Sequence, residues 1–132
     1  MSASPSIPSV VYDSETPIMD REQIDMLLMV EDGEDSTSLI RELFDLFEGE
    51  SREKLLSLDR VCEANDLAEL RRVVHFVAGS AGNLGLARLS AFYRAIERSV
   101  DTGALNQIAD CAPPIRSEFE AACVAFQAEF GI

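Results

Sequence analysis

The sequence predicts an all-α fold, an up-and-down antiparallel four-helix bundle with an additional short N-terminal helix. Three observations predict it. Apolar residues recur at steps of three and four along nearly the whole chain, the spacing of one face of a 3.6-residue helix. No stretch keeps the two-residue alternation of a half-buried strand. Short turn signals built from Gly, Asn, Asp and Pro separate the periodic stretches, as antiparallel neighbours in a bundle require.

Residues 1–17 (MSASPSIPSVVYDSETP) are rich in Ser and Pro and have little periodicity. They read as a flexible N-terminal arm, with Val10, Val11 and Tyr12 as the side chains that touch the bundle. Residues 18–132 form the bundle domain. A chain of 132 residues with 47% hydrophobic content suits a single core, and no internal repeat or second domain is visible.

In the first helix Asp20 is placed as the N-cap, with Gln23 three residues on as in a capping box. Ile24, Leu27 and Leu28 form its apolar face, and Gly33 closes it. The second helix begins near Asp35 or Ser36. Its stripe runs Leu39/Ile40, Leu43/Phe44, Phe47, Lys54/Leu55, Leu58 and Val61/Cys62. Gly49 interrupts this stripe without shifting its phase, which predicts one long helix with a weak point at the glycine.

Asn65 and Asp66 cap the third helix, whose seam is Leu67, Leu70, Val74, Val77, Ala81 and Leu84. After the turn Gly82-Asn83-Leu84-Gly85, the fourth helix carries Leu86, Leu89, Tyr93, Ile96 and Val100 and ends at Asp101-Thr102-Gly103. Pro113 and Pro114 suit the first turn of a fifth helix, with Ile115, Phe119, Ala122, Phe126 and Phe130 on its inner face.

Composition narrows the partners. Acidic residues outnumber basic ones 24 to 11, for a net charge of −13, so nucleic acid and anionic membrane surfaces would repel the chain. No basic segment followed by an apolar stretch opens the sequence, and the apolar runs are too short to span a bilayer; a cytoplasmic location is expected. Cys62, Cys111 and Cys123 are odd in number and widely spaced, with no CxxC pair or Cys/His ligand pattern. They read as reduced, partly buried thiols.

The chain has one histidine. At about 100° per residue, His75 points roughly 130° away from the seam of the third helix, toward solvent. Its neighbours one turn on are Ala78 and Gly79, with Gly82 beyond. Two glycines on a helix surface cost about 1 kcal/mol each relative to alanine, so they need a reason. One reason is room for another protein's surface beside the imidazole. The other is close approach of a neighbouring helix, which the outward direction of Gly79 disfavours. Taken alone, a solvent-facing histidine is as a rule an ordinary surface residue.

The run His75-Phe76-Val77-Ala78-Gly79-Ser80-Ala81-Gly82-Asn83-Leu84-Gly85-Leu86-Ala87-Arg88-Leu89 resembles the signature of histidine-containing phosphotransfer (HPt) domains, H-x-[hydrophobic]-K-G-[SA]-[SA]-x-x-[hydrophobic]-G-x-x-x-L. The preceding Asn65 to Val74 resembles the family's run-up to its histidine, and Ile96-Glu97 its hydrophobic-acidic pair on the next helix. The likeness covers roughly residues 20 to 130, with its specific part in 66–97. One departure is visible: where the family commonly has Lys, three residues after the histidine, this chain has Ala78.

The resemblance implies that His75 is the phosphoacceptor. It would take the group from an aspartyl phosphate on a receiver domain, or from a hybrid histidine kinase, and pass it to another receiver. Arg71, one turn before His75, is the first candidate to replace the missing lysine, with Arg88 as a further phosphate support and Glu97 as the group that orients the ring. The implied docking surface takes in Arg72, Ala78, Gly79 and Gly82. Phe76 lies either at its edge or, by its angle, packed under the first helix. No cofactor and no metal is expected on this chain; a Mg²⁺ is expected in the receiver. With no nucleotide-binding loop, the domain is expected to be a carrier without kinase or ATPase activity of its own, and a monomer.

Two other classes compete. A non-phosphorylated adaptor or inhibitor on the same bundle is motivated by Ala78. A metal-binding four-helix bundle would need Glu-x-x-His pairs on facing helices, which one histidine does not supply.

Overall fold

A computed structural model describes residues 4–30 and 36–132. Six helices occur among them: α1 (Arg21–Val30), α2 (Ser36–Leu55), α3 (Leu58–Glu63), α4 (Leu67–Asn83), α5 (Ala87–Thr102) and α6 (Ala112–Phe130). No strand is present among the described residues. α3 continues α2 after a brief interruption, so α2–α3, α4, α5 and α6 are the four rods of the bundle and α1 is the added helix. The expected stop at Gly33 and start at Asp35 lie outside the described residues, as do the side chains of Leu27 and Leu28.

The core follows the predicted stripes. Leu70, Val74, Val77 and Ala81 of α4, Leu89, Tyr93 and Ile96 of α5, and Ile115, Phe119, Ala122 and Phe126 of α6 are buried. In α2 the second member of each apolar pair turns inward: Ile40, Phe44 and Leu55 are buried, while Leu39 and Leu43 stay partly in solvent. Phe44 stacks on Phe126 at 5.0 Å and Phe47 meets Phe119 at 5.8 Å, joining α2 to α6. Burying each such ring removes apolar surface worth about 1.5–3 kcal/mol. The Tyr93 hydroxyl donates to the Ile115 carbonyl at 2.7 Å, which satisfies its polar end inside the core.

The long second helix is interrupted, but not at Gly49. That glycine remains helical, held between the buried Phe47 and Ser51. The break falls at Leu56-Ser57, where the Leu56 amide tightens onto the Glu53 carbonyl and Ser57 becomes the residue before α3. Leu56 is 79% exposed, so no packing holds the helix through this point, while Leu58 restores the buried phase.

Turn chemistry sets the end of the bundle where α1 sits. Gly85 has φ +76°, and a Cβ there would lie 3.2 Å from Ile24 and 3.3 Å from the Asp20 carbonyl. A left-handed turn and a close neighbour therefore both require glycine. Across it the Asp20 amide donates to the Gly85 carbonyl at 2.7 Å and the Gln23 amide group to the Asn83 carbonyl at 2.9 Å. Gln23 thus fastens α1 to the α4–α5 turn, so only the Asp20 half of the expected capping box forms.

At the opposite turn Asp66 caps α4 by accepting from the Glu69 amide at 3.1 Å. Asn65 instead adopts φ +52° and reaches the α5–α6 connection, donating to the Asn106 carbonyl and accepting from the Ile108 amide. Of the arm residues expected on the bundle, Val10 and Tyr12 pack against it, Tyr12 at 5.4 Å from Phe92; Val11 points away, and Ile7 is the buried anchor. All three cysteines are free and buried; burial pushes the Cys62 thiol up to about 11 and that of Cys123 to about 12. Among the described residues no helix is long and apolar enough to cross a membrane.

Candidate functional site

The site is built on the outer face of α4, between α2 and α5. α4 turns its seam inward, which leaves His75 on the far side, with 62% of its side chain in solvent. One ring nitrogen is held: Nδ1 lies 2.8 Å from Glu97 Oε2 on α5. Glu97 is itself only 13% exposed, so its carboxylate is a fixed partner and not a mobile surface charge. A hydrogen bond at Nδ1 leaves Nε2 facing outward.

Arg71 braces this pair. Its guanidinium lies 3.1 Å from Glu97 Oε2 and donates through Nε to Asp101 Oδ1 at 2.6 Å. Asp101 is one turn beyond Glu97 on α5, and Arg71 is one turn before His75 on α4, so four side chains at matched helical spacing form one hydrogen-bonded cluster. With its charge engaged by two carboxylates, Arg71 is arranged to hold Glu97 more than to meet a phosphoryl group directly. Beside Arg71 and His75, Arg72, Lys54 and Phe76 line a shallow depression of about 330 Å³. Arg72 is paired with Glu69 on its own helix.

The glycines keep this face flat. A Cβ built on Gly79 would meet nothing within 4 Å, and one on Gly82 only Ser90 Oγ at an ordinary 3.4 Å. No neighbouring helix therefore needs Gly79 to be small, and the surface one turn from His75 is open.

Three expected placements are corrected. Ala78 is fully buried in the α4–α5 seam, with its carbonyl accepting from the Ser90 hydroxyl at 2.9 Å, so it does not belong to an outer surface. Arg88 does not support the His75 site. It lies nine residues before Glu97 on α5, an offset of roughly 13 Å along the axis and half a turn around it. There it forms a buried two-pronged ion pair with Glu118 of α6, both contacts at 3.0 Å. Phe76 packs toward α2 and not under α1: Lys54 Nζ sits 5.1 Å from its ring centroid.

Sequence reasoning missed Lys54 and Asp101. Lys54 is entered in the apolar stripe of the second helix beside Leu55, but as the outer member of that pair it falls on the edge of α2 that borders α4. Asp101 reads as part of a helix stop, although its spacing from Glu97 carries the signal.

Comparison with known proteins bears on the family and the fold. A family model described as Hpt domain matches residues 42–129. The crystal structure of histidine-containing phosphotransfer protein B from Pseudomonas aeruginosa PAO1 is similar, with a TM-score of 0.69 and 25% sequence identity, covering 87% of this chain and 96% of that one. No curated protein sequence matches the chain. The family match runs from the middle of α2 to the end of α6 and so takes in every element that builds the His75 face: this chain belongs to the Hpt domain family, whose work is phosphotransfer in two-component signalling.

Proposed function

We propose that His75 is the phosphoacceptor of a phosphorelay, receiving the group from an aspartyl phosphate on a receiver domain or hybrid histidine kinase and passing it to the aspartate of another receiver. The observation that carries this reading is the paired state of the imidazole: Nδ1 is held by Glu97 while most of the side chain is exposed.

With the Nδ1 proton directed at the Glu97 carboxylate, Nε2 keeps its lone pair for attack. The N–P bond forms as the P–O bond to the donor aspartate breaks, and that aspartate leaves as a carboxylate. The ring becomes an N-phosphorylated imidazolium, and its new positive charge is met by Glu97. In the reverse step an aspartate of the next receiver attacks phosphorus and the imidazole leaves neutral. Positioning and charge neutralisation dominate such transfers. The acidic pocket and its Mg²⁺ are supplied by the receiver; this chain supplies the nucleophile, its orienting carboxylate and the Arg71 brace.

Gly79, Gly82 and Arg72 form the docking surface in this reading, and its flatness lets the receiver's active site close on the ring. The domain acts as a monomer. Incubation with a receiver carrying labelled aspartyl phosphate tests it: wild type acquires acid-labile label and His75→Gln does not. A wild type that never labels, yet binds the receiver, would instead favour an adaptor, the reading that Ala78 motivates.

A further inference from the structure

We propose that Lys54, on α2, supplies the positive charge that the phosphoryl group on His75 needs, in place of the lysine that the family motif carries where this chain has Ala78. The inference rests on the phosphoacceptor reading of His75 and adds a residue from another helix to it.

The site has a deficit of positive charge. A phosphoryl group on Nε2 brings close to two negative charges onto a protein of net charge −13, beside the carboxylates of Glu97 and Asp101. The motif position that commonly offsets this charge is Ala78, sealed under α5. Three cations line the depression at His75. Arg71 is engaged by Glu97 and Asp101, and Arg72 by Glu69. Lys54 has no carboxylate partner among the described residues; its ammonium rests over the face of Phe76, the residue that follows His75.

That resting place suits a cation that must move a short way. An exposed cation–π contact is worth only about 0.5–1 kcal/mol, so it holds the ammonium at the lip of the depression without trapping it. The four-carbon stem and freely rotating ammonium of lysine let it meet phosphoryl oxygens as a point charge from a range of positions. Helix geometry places it correctly. Arg52 turns to α6, where it pairs with Glu120 and stacks over Phe119. Lys54, two residues on, is turned roughly 200° from it, toward α4.

The test compares wild type, Lys54→Met and Lys54→Arg, each checked for unchanged circular dichroism and melting temperature. Phosphoramidate serves as the phosphoryl donor, since it labels imidazole without a protein partner. Lifetime of the phosphohistidine and rate of its formation are read by phosphate-affinity electrophoresis. Loss of one charge-assisted contact predicts that Lys54→Met forms phosphohistidine about tenfold more slowly, with Lys54→Arg restoring most of the rate. The proposal is overturned if Lys54→Met labels at the wild-type rate, or if both variants are equally slow, which would mean that stacking on Phe76 and not charge is what matters. Should wild type itself fail to label at His75, with phosphoramidate and with a phosphorylated receiver alike, the phosphoacceptor reading falls. An unaltered rate in Lys54→Met alone removes only the lysine.

Discussion

At the scale of the residue, the decisive contact is between His75 Nδ1 and Glu97 Oε2. In the proposed relay, a carboxylate there would select which nitrogen carries the proton and stabilise the charge that the ring would gain on phosphorylation. Glu97→Gln keeps the shape and removes the charge. A hydrogen bond to a charged group is worth about 1.5–3 kcal/mol, so phosphotransfer should slow by roughly tenfold to a hundredfold. Stopped-flow transfer from a phosphorylated receiver at saturating concentration checks this, since saturation separates chemistry from docking. An unchanged rate would reduce Glu97 to an ordinary helix carboxylate. Arg71 enters through the same contact, because it holds the carboxylate that holds the ring. The outward direction of His75 was legible from sequence, because the seam of α4 keeps an unbroken helical phase. The fate of Arg88 was not: burial beside Glu118 depends on how α5 meets α6, and nothing in the local spacing of α5 reports that.

At the scale of the element, two kinds of glycine occur in the C-terminal half of α4 and the turn that follows it. Gly85 is demanded by the fold, through a positive φ and the closeness of α1. Gly79 is not, since an added methyl group would meet only solvent. Gly79→Ala should therefore stabilise the protein by about 0.5–1 kcal/mol, an increase in melting temperature of roughly 2–6 °C. Gly79→Gln should keep that stability yet slow transfer from a receiver, while labelling by phosphoramidate stays as in wild type. A Gly79→Gln protein that exchanges phosphate with the receiver at full speed would show that no partner approaches this surface. The break between α2 and α3 shows the complementary limit of reading elements from sequence. Hydrophobic phase runs through Leu55 and Leu58 as though one helix continued, and a helix can pause for two residues without losing that phase. Gly49, the residue with the poorest propensity, stays helical because packed residues on both sides hold it, as tertiary contacts commonly override propensity.

At the scale of the molecule, the bundle separates stability from chemistry. Among the described residues its most buried ion pair is Arg88–Glu118, between α5 and α6 on the side of α5 opposite Glu97. Burial pushes the Glu118 carboxyl above the usual range, against the pull of the arginine, so the pair is held by geometry and mutual attraction more than by favourable solvation. Glu118→Ala would remove the two-pronged carboxylate partner of a buried guanidinium and should destabilise the protein, by up to about 3–5 kcal/mol in urea-induced unfolding. Transfer by the fraction still folded should remain at the wild-type rate, because no part of the His75 cluster is touched. A marked loss of transfer in folded Glu118→Ala would mean that the two sides of α5 are coupled. The fold class, four of the five expected helices and the outward position of His75 could all be read from residue spacing, and the family from the resemblance. The cations were legible only in part: Arg71 stands one turn before His75 on the same helix, whereas Lys54 and the pairing of Arg88 depend on how other helices meet α4 and α5. The proposed relay turns on one atom, His75 Nε2, and ³¹P–¹H correlation NMR of the labelled protein observes it directly. The expected result is a single phosphohistidine, phosphorylated at Nε2, with the Nδ1 proton still bonded to Glu97. Phosphate on Nδ1, or on any residue other than His75, would contradict it.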